Sequence, residues 1–184
     1  MSSMLIVQKL RQLAAYHDLE CRSRKSPEGL DEVYLFSHDE EYRYAFARWW
    51  DPVDSLDLWV GLNPAKGDTE QRRRPTLDRC IARSRLAGAG GLIFANLFAA
   101  RHNKPSGLRA TADPVGPHND AILRELSQLA RQTYVAWGAQ GVMLARATEV
   151  VPLLHEPHCL GVTASGQPRH PLYVRGDVAA RPWP

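Results

Sequence analysis

Four apolar runs, each ended by a polar or glycine-bearing loop and followed by helical spacing, constrain this chain more than any other feature. The runs are Leu56 to Leu62, Gly91 to Phe98, Thr133 to Trp137 and His158 to Val162. Runs of this length without clean alternation mark strands buried on both faces, as in parallel sheets. Between them lie three helical segments. One opens at Pro75-Thr76 and closes at Gly88, with Arg83 and Arg85 in its last turn; proline at a helix start, glycine past its end and late basic residues all suit helix termini. The second follows Pro117 and places Ile122, Leu123, Leu126, Leu129 and Ala130 on one face. The third is expected from Val142 to Leu154. Strands alternating with helices imply right-handed crossovers and a mainly parallel sheet with helices on both faces. In such sheets ligands bind outside the carboxyl ends of the strands.

The first fifty residues read differently. Leu5, Ile6, Leu10, Leu13 and Ala14 give Leu5 to Tyr16 a helical rhythm. Val33 to Phe36 and Tyr42 to Trp50 read as two aromatic-rich strands joined by a polar turn at Ser37 to Glu41. Simple alternation puts Tyr42, Tyr44 and Phe46 on one face of the hairpin, with Arg43 and Ala45 on the other. At 184 residues the chain fits a single domain, with an N-terminal helix and hairpin over 1–50 and an α/β core over 56–175.

Composition excludes several classes. Hydrophobic residues make up 44% and charged residues 23%, an ordinary globular balance. Cys21, Cys80 and Cys159 are odd in number and scattered, which argues against a disulfide framework and a zinc site. With no leader-like start and no apolar run near the roughly 20 residues of a membrane helix, a cytoplasmic protein without a membrane partner is expected. Net charge is only +3, yet lysine occurs only at Lys9, Lys25, Lys66 and Lys104, and arginine supplies the other cations. Arginine suits phosphates and carboxylates; a GC-rich coding bias accounts for the same excess. There is no phosphate-binding P-loop, dinucleotide-binding glycine motif, nucleophile elbow or metal-ligand cluster, so no cofactor or metal is expected.

Three strand ends carry the residues suited to chemistry. In Gly61-Leu62-Asn63-Pro64, Gly61 permits close approach and Pro64 stiffens the exit from the sheet. Asn63 then either orients a water or substrate, or bonds its own loop backbone. Asp68 either activates water or belongs to a solvated loop with Glu70 and the run Arg72-Arg73-Arg74. Asn96 ends an apolar strand, where an amide either reads a base edge or satisfies a neighbouring loop. Arg101 binds phosphate or pairs with a surface carboxylate. Finally, Pro168 and Pro171 bracket Arg169 and His170 and present both side chains from a stiff loop.

These residues resemble two families. Tyr42 to Trp50, Leu62 to Pro64, Pro75-Thr76-Leu77, Asn96 to Ala99, Asp113 to Asp120, Ala136-Trp137-Gly138 and Pro168 to Tyr173 resemble, in order, the domain-of-unknown-function 1643 family. The chain departs from it at Arg74, where that family usually has an acid, and at Ala65-Lys66, where it has small hydroxyl residues. Gly61-Leu62-Asn63-Pro64, Asn96 and His170-Pro171 are distantly similar to uracil-DNA glycosylases. That likeness implies a three-layer α/β/α sandwich with a short, mainly parallel central sheet. It also implies catalytic Asn63, Asp68 and His170: Asn63 positions water, Asp68 supports a cationic sugar, and His170 stabilises charge on the departing base. Gly61, Pro64, Asn96, Arg101 and Arg169 would then bind substrate, and the partner would be a nucleobase, nucleotide or nucleic acid. The alternative is a non-catalytic nucleotide or nucleic-acid binding module on the same fold.

Overall fold

A computed structural model describes residues 3–51, 55–67 and 74–183. The four apolar runs form mutually parallel neighbours: β4 (Leu56–Gly61), β5 (Gly91–Asn96), β6 (Thr133–Val135) and β7 (His158–Cys159), in the order β5-β4-β6-β7. Their side chains alternate between two cores. Leu58, Val60, Ile93 and Ala95 pack with Ile6 and Leu10 of α1 (Ser3–Tyr16), Ile122 and Leu126 of α4 (Asn119–Leu129) and Val150 of α5 (Arg146–Val150). Trp59, Leu92 and Tyr134 pack on the other face with Leu77 and Cys80 of α2 (Pro75–Leu86). A short helix, α3 (Pro105–Ala110), follows β5. The acid within the β4 run, Asp57, is fully buried and paired with Arg131 (Nη2–Oδ1 2.8 Å).

The sheet as a whole corrects the mainly parallel expectation. It has eight strands in the order β1-β2-β3-β5-β4-β6-β7-β8, with β1 (Glu20–Lys25), β2 (Asp31–Phe36), β3 (Arg43–Trp49) and β8 (Arg181–Pro182) all in antiparallel ladders. Four of the seven ladders are antiparallel. The hairpin is not an appendage on a short parallel sheet, because β3 pairs with β5 from Phe46–Phe94 to Trp49–Gly91. The physical reason lies in burial: five of six residues in β2 and six of seven in β3 are buried, so both faces of the hairpin need covering.

The hairpin also breaks simple alternation. Leu35 pairs with Ala45 but Phe36 with Arg43, so Tyr44 is the extra residue of a β-bulge. Beyond it the faces exchange: Tyr44 joins the core that holds Ala45 and Ala47, while Phe46 joins the opposite one. Arg43 is thereby placed on the Phe46 side, its guanidinium 5.9 Å from the ring centroid.

A single buried carboxylate ties this half of the sheet together. Glu32 of β2 is 0% exposed at its side chain. Its oxygens accept from Arg24 of β1 (2.7 Å), Arg48 of β3 (Nε, 2.8 Å), Arg74 ahead of α2 (2.9 Å) and the Tyr34 hydroxyl (2.8 Å).

The third expected helix is broken. A 3-10 stretch Ala139–Ala145 precedes α5, and a 3-10 turn Val151–Leu153 follows it. Leu144 and Ala145 take left-handed backbone (φ 54° each), and Pro152 removes an amide donor from what would be the last turn. Directly after the break Arg146 turns inward and is 2% exposed.

Burial by itself raises the Glu32 pKa, but its hydrogen bonds with Arg24, Arg48 and Tyr34 together outweigh burial and hold it below the ordinary 4.5. The unfolded chain therefore binds the extra proton, so this contribution is complete above about pH 4.5 and is lost as pH falls further. Glu32→Gln leaves three guanidinium groups without their acid and should cost about 3–5 kcal/mol. Melting curves from pH 7 to 3 should show the variant lower throughout and less acid-sensitive than the parent; an unchanged melting temperature would show the cluster to be dispensable.

Candidate functional site

Beyond the carboxyl ends of β4 and β5 lies a cavity of about 1100 Å³. Six of the eight residues singled out from the sequence line it: Gly61, Asn63, Pro64, Asn96, Arg169 and His170. Arg101 does not. Its guanidinium is buried, donating to the carbonyls of Glu40 (3.0 Å) and Lys66 (2.7 Å) and lying 5.2 Å from the Phe36 ring centroid. It fastens the loop after β4 to the hairpin, which corrects its assignment to substrate. Asp68, with Glu70, Arg72 and Arg73, lies outside the described residues.

Asn96 is set by the neighbours of its strand. The backbone carbonyls of Asn96 and Leu97 both accept from Asn119 Nδ2 (3.1 and 2.9 Å), and Leu97 O also accepts from Arg146 Nε (2.9 Å). The stretch from Asp113 to Asp120 makes this possible. Asp113 Oδ1 accepts from the amides of Val115 and Gly116 and closes a turn, Gly116 adopts φ 85°, and Asn119 is delivered against the strand end. Asp120 then pairs with Arg146. On the other side, a side chain at Gly61 would put its Cβ 2.8 Å from the Phe94 ring and 2.9 Å from Asn96 Oδ1. The result is an amide that is 2% exposed and whose Nδ2 has no hydrogen-bond partner.

Asn63 is more committed to its loop. Its Nδ2 donates to the carbonyls of Pro64 (3.0 Å) and His102 (2.7 Å), the loop-holding alternative of the sequence reading. What remains for chemistry is the acceptor Oδ1. His170 Nδ1 accepts the amide of Leu172 (3.4 Å), so Nε2 carries the ring proton when the imidazole is neutral. Burial lowers the His170 pKa from its ordinary 6.5, which keeps the ring neutral at physiological pH. Arg169 donates from Nε to Val162 O (3.1 Å), leaving its two terminal nitrogens at the exposed rim.

Several lining residues were not legible as a site in the sequence. Phe46, Phe94 and Trp137 supply aromatic surface, and Arg43 and Arg74 flank Phe46, the latter at 4.8 Å from the ring centroid. Arg43 was hidden by the bulge, which no local pattern announces. Thr76, Gln140 and Thr163 add neutral hydrogen-bonding groups. Among the described residues of the lining there is no carboxylate. Nor do any three His, Cys, Asp or Glu among the described residues form a group able to hold a metal ion. No helix among them is long and apolar enough to cross a membrane.

Fold and cavity define a mixed α/β protein with an aromatic, arginine-bearing recess at the carboxyl ends of its parallel strands. The chain belongs to the family described as "Protein of unknown function (DUF1643)", whose model matches residues 43–172. The match starts at Arg43 and so takes in every lining residue except Tyr173. No curated protein matches the chain.

Because Gly61 fits so closely against Phe94 and Asn96, Gly61→Ala should cost about 1–3 kcal/mol, the usual size of an overpacking defect. The displacement should be read in the side-chain amide NMR signal of Asn96. A variant with parental melting temperature and an unmoved signal would mean that the strand end yields without strain.

Proposed function

We propose that the cavity is a nucleobase site and that this chain recognises a nucleotide, either free or within a nucleic-acid strand. The observation that carries the reading is Asn96. Leaving a buried amide donor unsatisfied costs about 1–3 kcal/mol, and here the unpartnered Nδ2 belongs to a side chain lining the cavity. An amide presents a donor beside an acceptor, the pattern that base edges complement. Phe94, partly exposed in the lining, offers an apolar surface on which a base can stack, beside the nearly buried rings of Phe46 and Trp137. The arginines of the wall suit the phosphate that accompanies a base.

Hydrolysis of the bond between base and sugar is the second reading. It is favoured by the neutral, Nε2-protonated form of His170, which suits a donor to an oxygen of the departing base. Asn63 Oδ1 would then orient the attacking water. The likeness of Gly61-Leu62-Asn63-Pro64, Asn96 and His170-Pro171 to uracil-DNA glycosylases supports the same assignment. Against it stand the two loop bonds of Asn63 Nδ2 and the absence of a carboxylate among the described residues of the lining. An asparagine cannot take the proton from water, so binding without turnover is the primary reading.

The two are separable. Asn96→Leu replaces an unsatisfied amide by an apolar group of similar size. Calorimetric titration with the common nucleosides and nucleotides should show at least about a 10-fold loss of affinity, while the melting temperature stays level or rises. A parental protein that binds no nucleoside or nucleotide would end the base-site reading. For hydrolysis, uracil- or mismatch-containing DNA should acquire abasic sites, and Asn63→Ala or His170→Ala should lower the rate by at least about 10²-fold at parental stability. Binding without abasic product leaves a recognition module.

A further inference from the structure

The N-terminus of α2 forms one wall of the same cavity through Arg74, Pro75, Thr76 and Leu77. This is a 12-residue helix with no side-chain cap on its first turn. Its first internal hydrogen bond runs from the amide of Asp78 to Arg74 O (3.0 Å). Pro75 has no amide hydrogen, so the Thr76 and Leu77 N–H groups are the donors that the helix leaves without an internal acceptor. Such a terminus carries partial positive charge and favours anions. Asp78, the acid of the first turn, is exposed and takes no part in the lining. The Thr76 hydroxyl adds a donor at the same edge. A second and independent feature marks the recess as built for a ligand: Asn96, a residue of the same lining, is 2% exposed and its Nδ2 has no hydrogen-bond partner.

We propose that the N-terminal turn of α2 is the phosphate subsite of this cavity and that the ligand is therefore a phosphorylated nucleoside, its base at Asn96 and its phosphate at Thr76 and Leu77. The proposal rests on the base-site reading above and adds the substrate class. Base and phosphate together also suit the volume, since about 1100 Å³ exceeds what a base alone would fill, ligand pockets beginning at roughly 300 Å³. The arginines of the wall frame the subsite. Arg74, already bonded to Glu32, is held in place just ahead of the helix, and Arg169 keeps its terminal nitrogens at the rim.

Calorimetric titration of the full chain with four probe sets tests this: nucleosides, their 5′-monophosphates, ribose 5-phosphate and a short single-stranded oligonucleotide. Monophosphates should bind at least about 10-fold more tightly than the matching nucleosides. Thr76→Asp puts a carboxylate in the first turn, where it favours the helix but repels a phosphate. It should erase the monophosphate advantage without lowering the melting temperature. Thr76→Val, which keeps the shape and loses only the hydroxyl, should reduce the advantage several-fold, and it stands as the test if the aspartate variant does not fold. Equal affinity for nucleoside and monophosphate would overturn the subsite while leaving the base site intact, and so would an advantage that survives Thr76→Asp and Thr76→Val. Ribose 5-phosphate binding without any nucleoside binding would overturn the base-site reading and the assignment of a nucleotide. An oligonucleotide that competes better than the monophosphate identifies a strand as the source of the phosphate; one that competes worse identifies a free nucleotide, and either result supports the subsite.

Discussion

The fully buried carboxylate of Glu32 holds together parts of the chain that have no other reason to meet. Arginines from β1, from β3 and from the residue preceding α2 all donate to it, and the Tyr34 hydroxyl completes its shell. Removing an acid from water is expensive, and the cost is recovered only when its lone pairs are filled by well-directed donors. Arginine's planar fork is suited to that task. Because one donor is Arg74, the cluster also determines where α2 begins, and with it the wall of the cavity. Phe46 lies among the same guanidinium groups, with Arg43, Arg48 and Arg74 all within 6 Å of its ring centroid. The outer half of the sheet and the candidate site are thus parts of one electrostatic arrangement.

A second arrangement works by the opposite means. At the end of β5 the backbone is over-provided with partners: Asn119 and Arg146 together satisfy the carbonyls of Asn96 and Leu97. The side chain of Asn96 is left with a donor and nothing to donate to. A rigid backbone carrying an unsatisfied side chain is the expected form of a binding position, since folding bears a cost that the ligand relieves. The long turn from Asp113 to Asp120 has no polar group of its own in the cavity, and its contribution is to hold that strand end still.

Much of the inner frame was legible in the chain. Four apolar runs with helical spacing between them place β4, β5, β6 and β7 as parallel neighbours, because burial on both faces leaves a local mark. Asn63, Asn96 and His170 stood at strand ends and line one cavity. Strand β1, Glu-Cys-Arg-Ser-Arg-Lys, left no such mark: it is a strand only because β2 offers it an edge, and none of its residues is fully buried. The third helix failed for a reason the sequence did contain, since Pro152 stands inside the apolar rhythm that suggested it.

Local pattern by itself therefore determined which segments are buried strands, where α2 and α4 start, and which polar residues sit at strand ends. It did so because burial and capping act on residues close together in the chain. Tertiary structure alone decided the direction and extent of the sheet, the face on which Arg43 stands, the use of Arg101 as a loop fastener and the pairing of Arg74 with Glu32, 42 residues away. Each of these depends on register with a partner strand or on a charge brought from a distant segment. A bulge that reverses every later side chain and an acid that chooses among several arginines have energies set by neighbours in space, and nothing in the adjoining sequence records them.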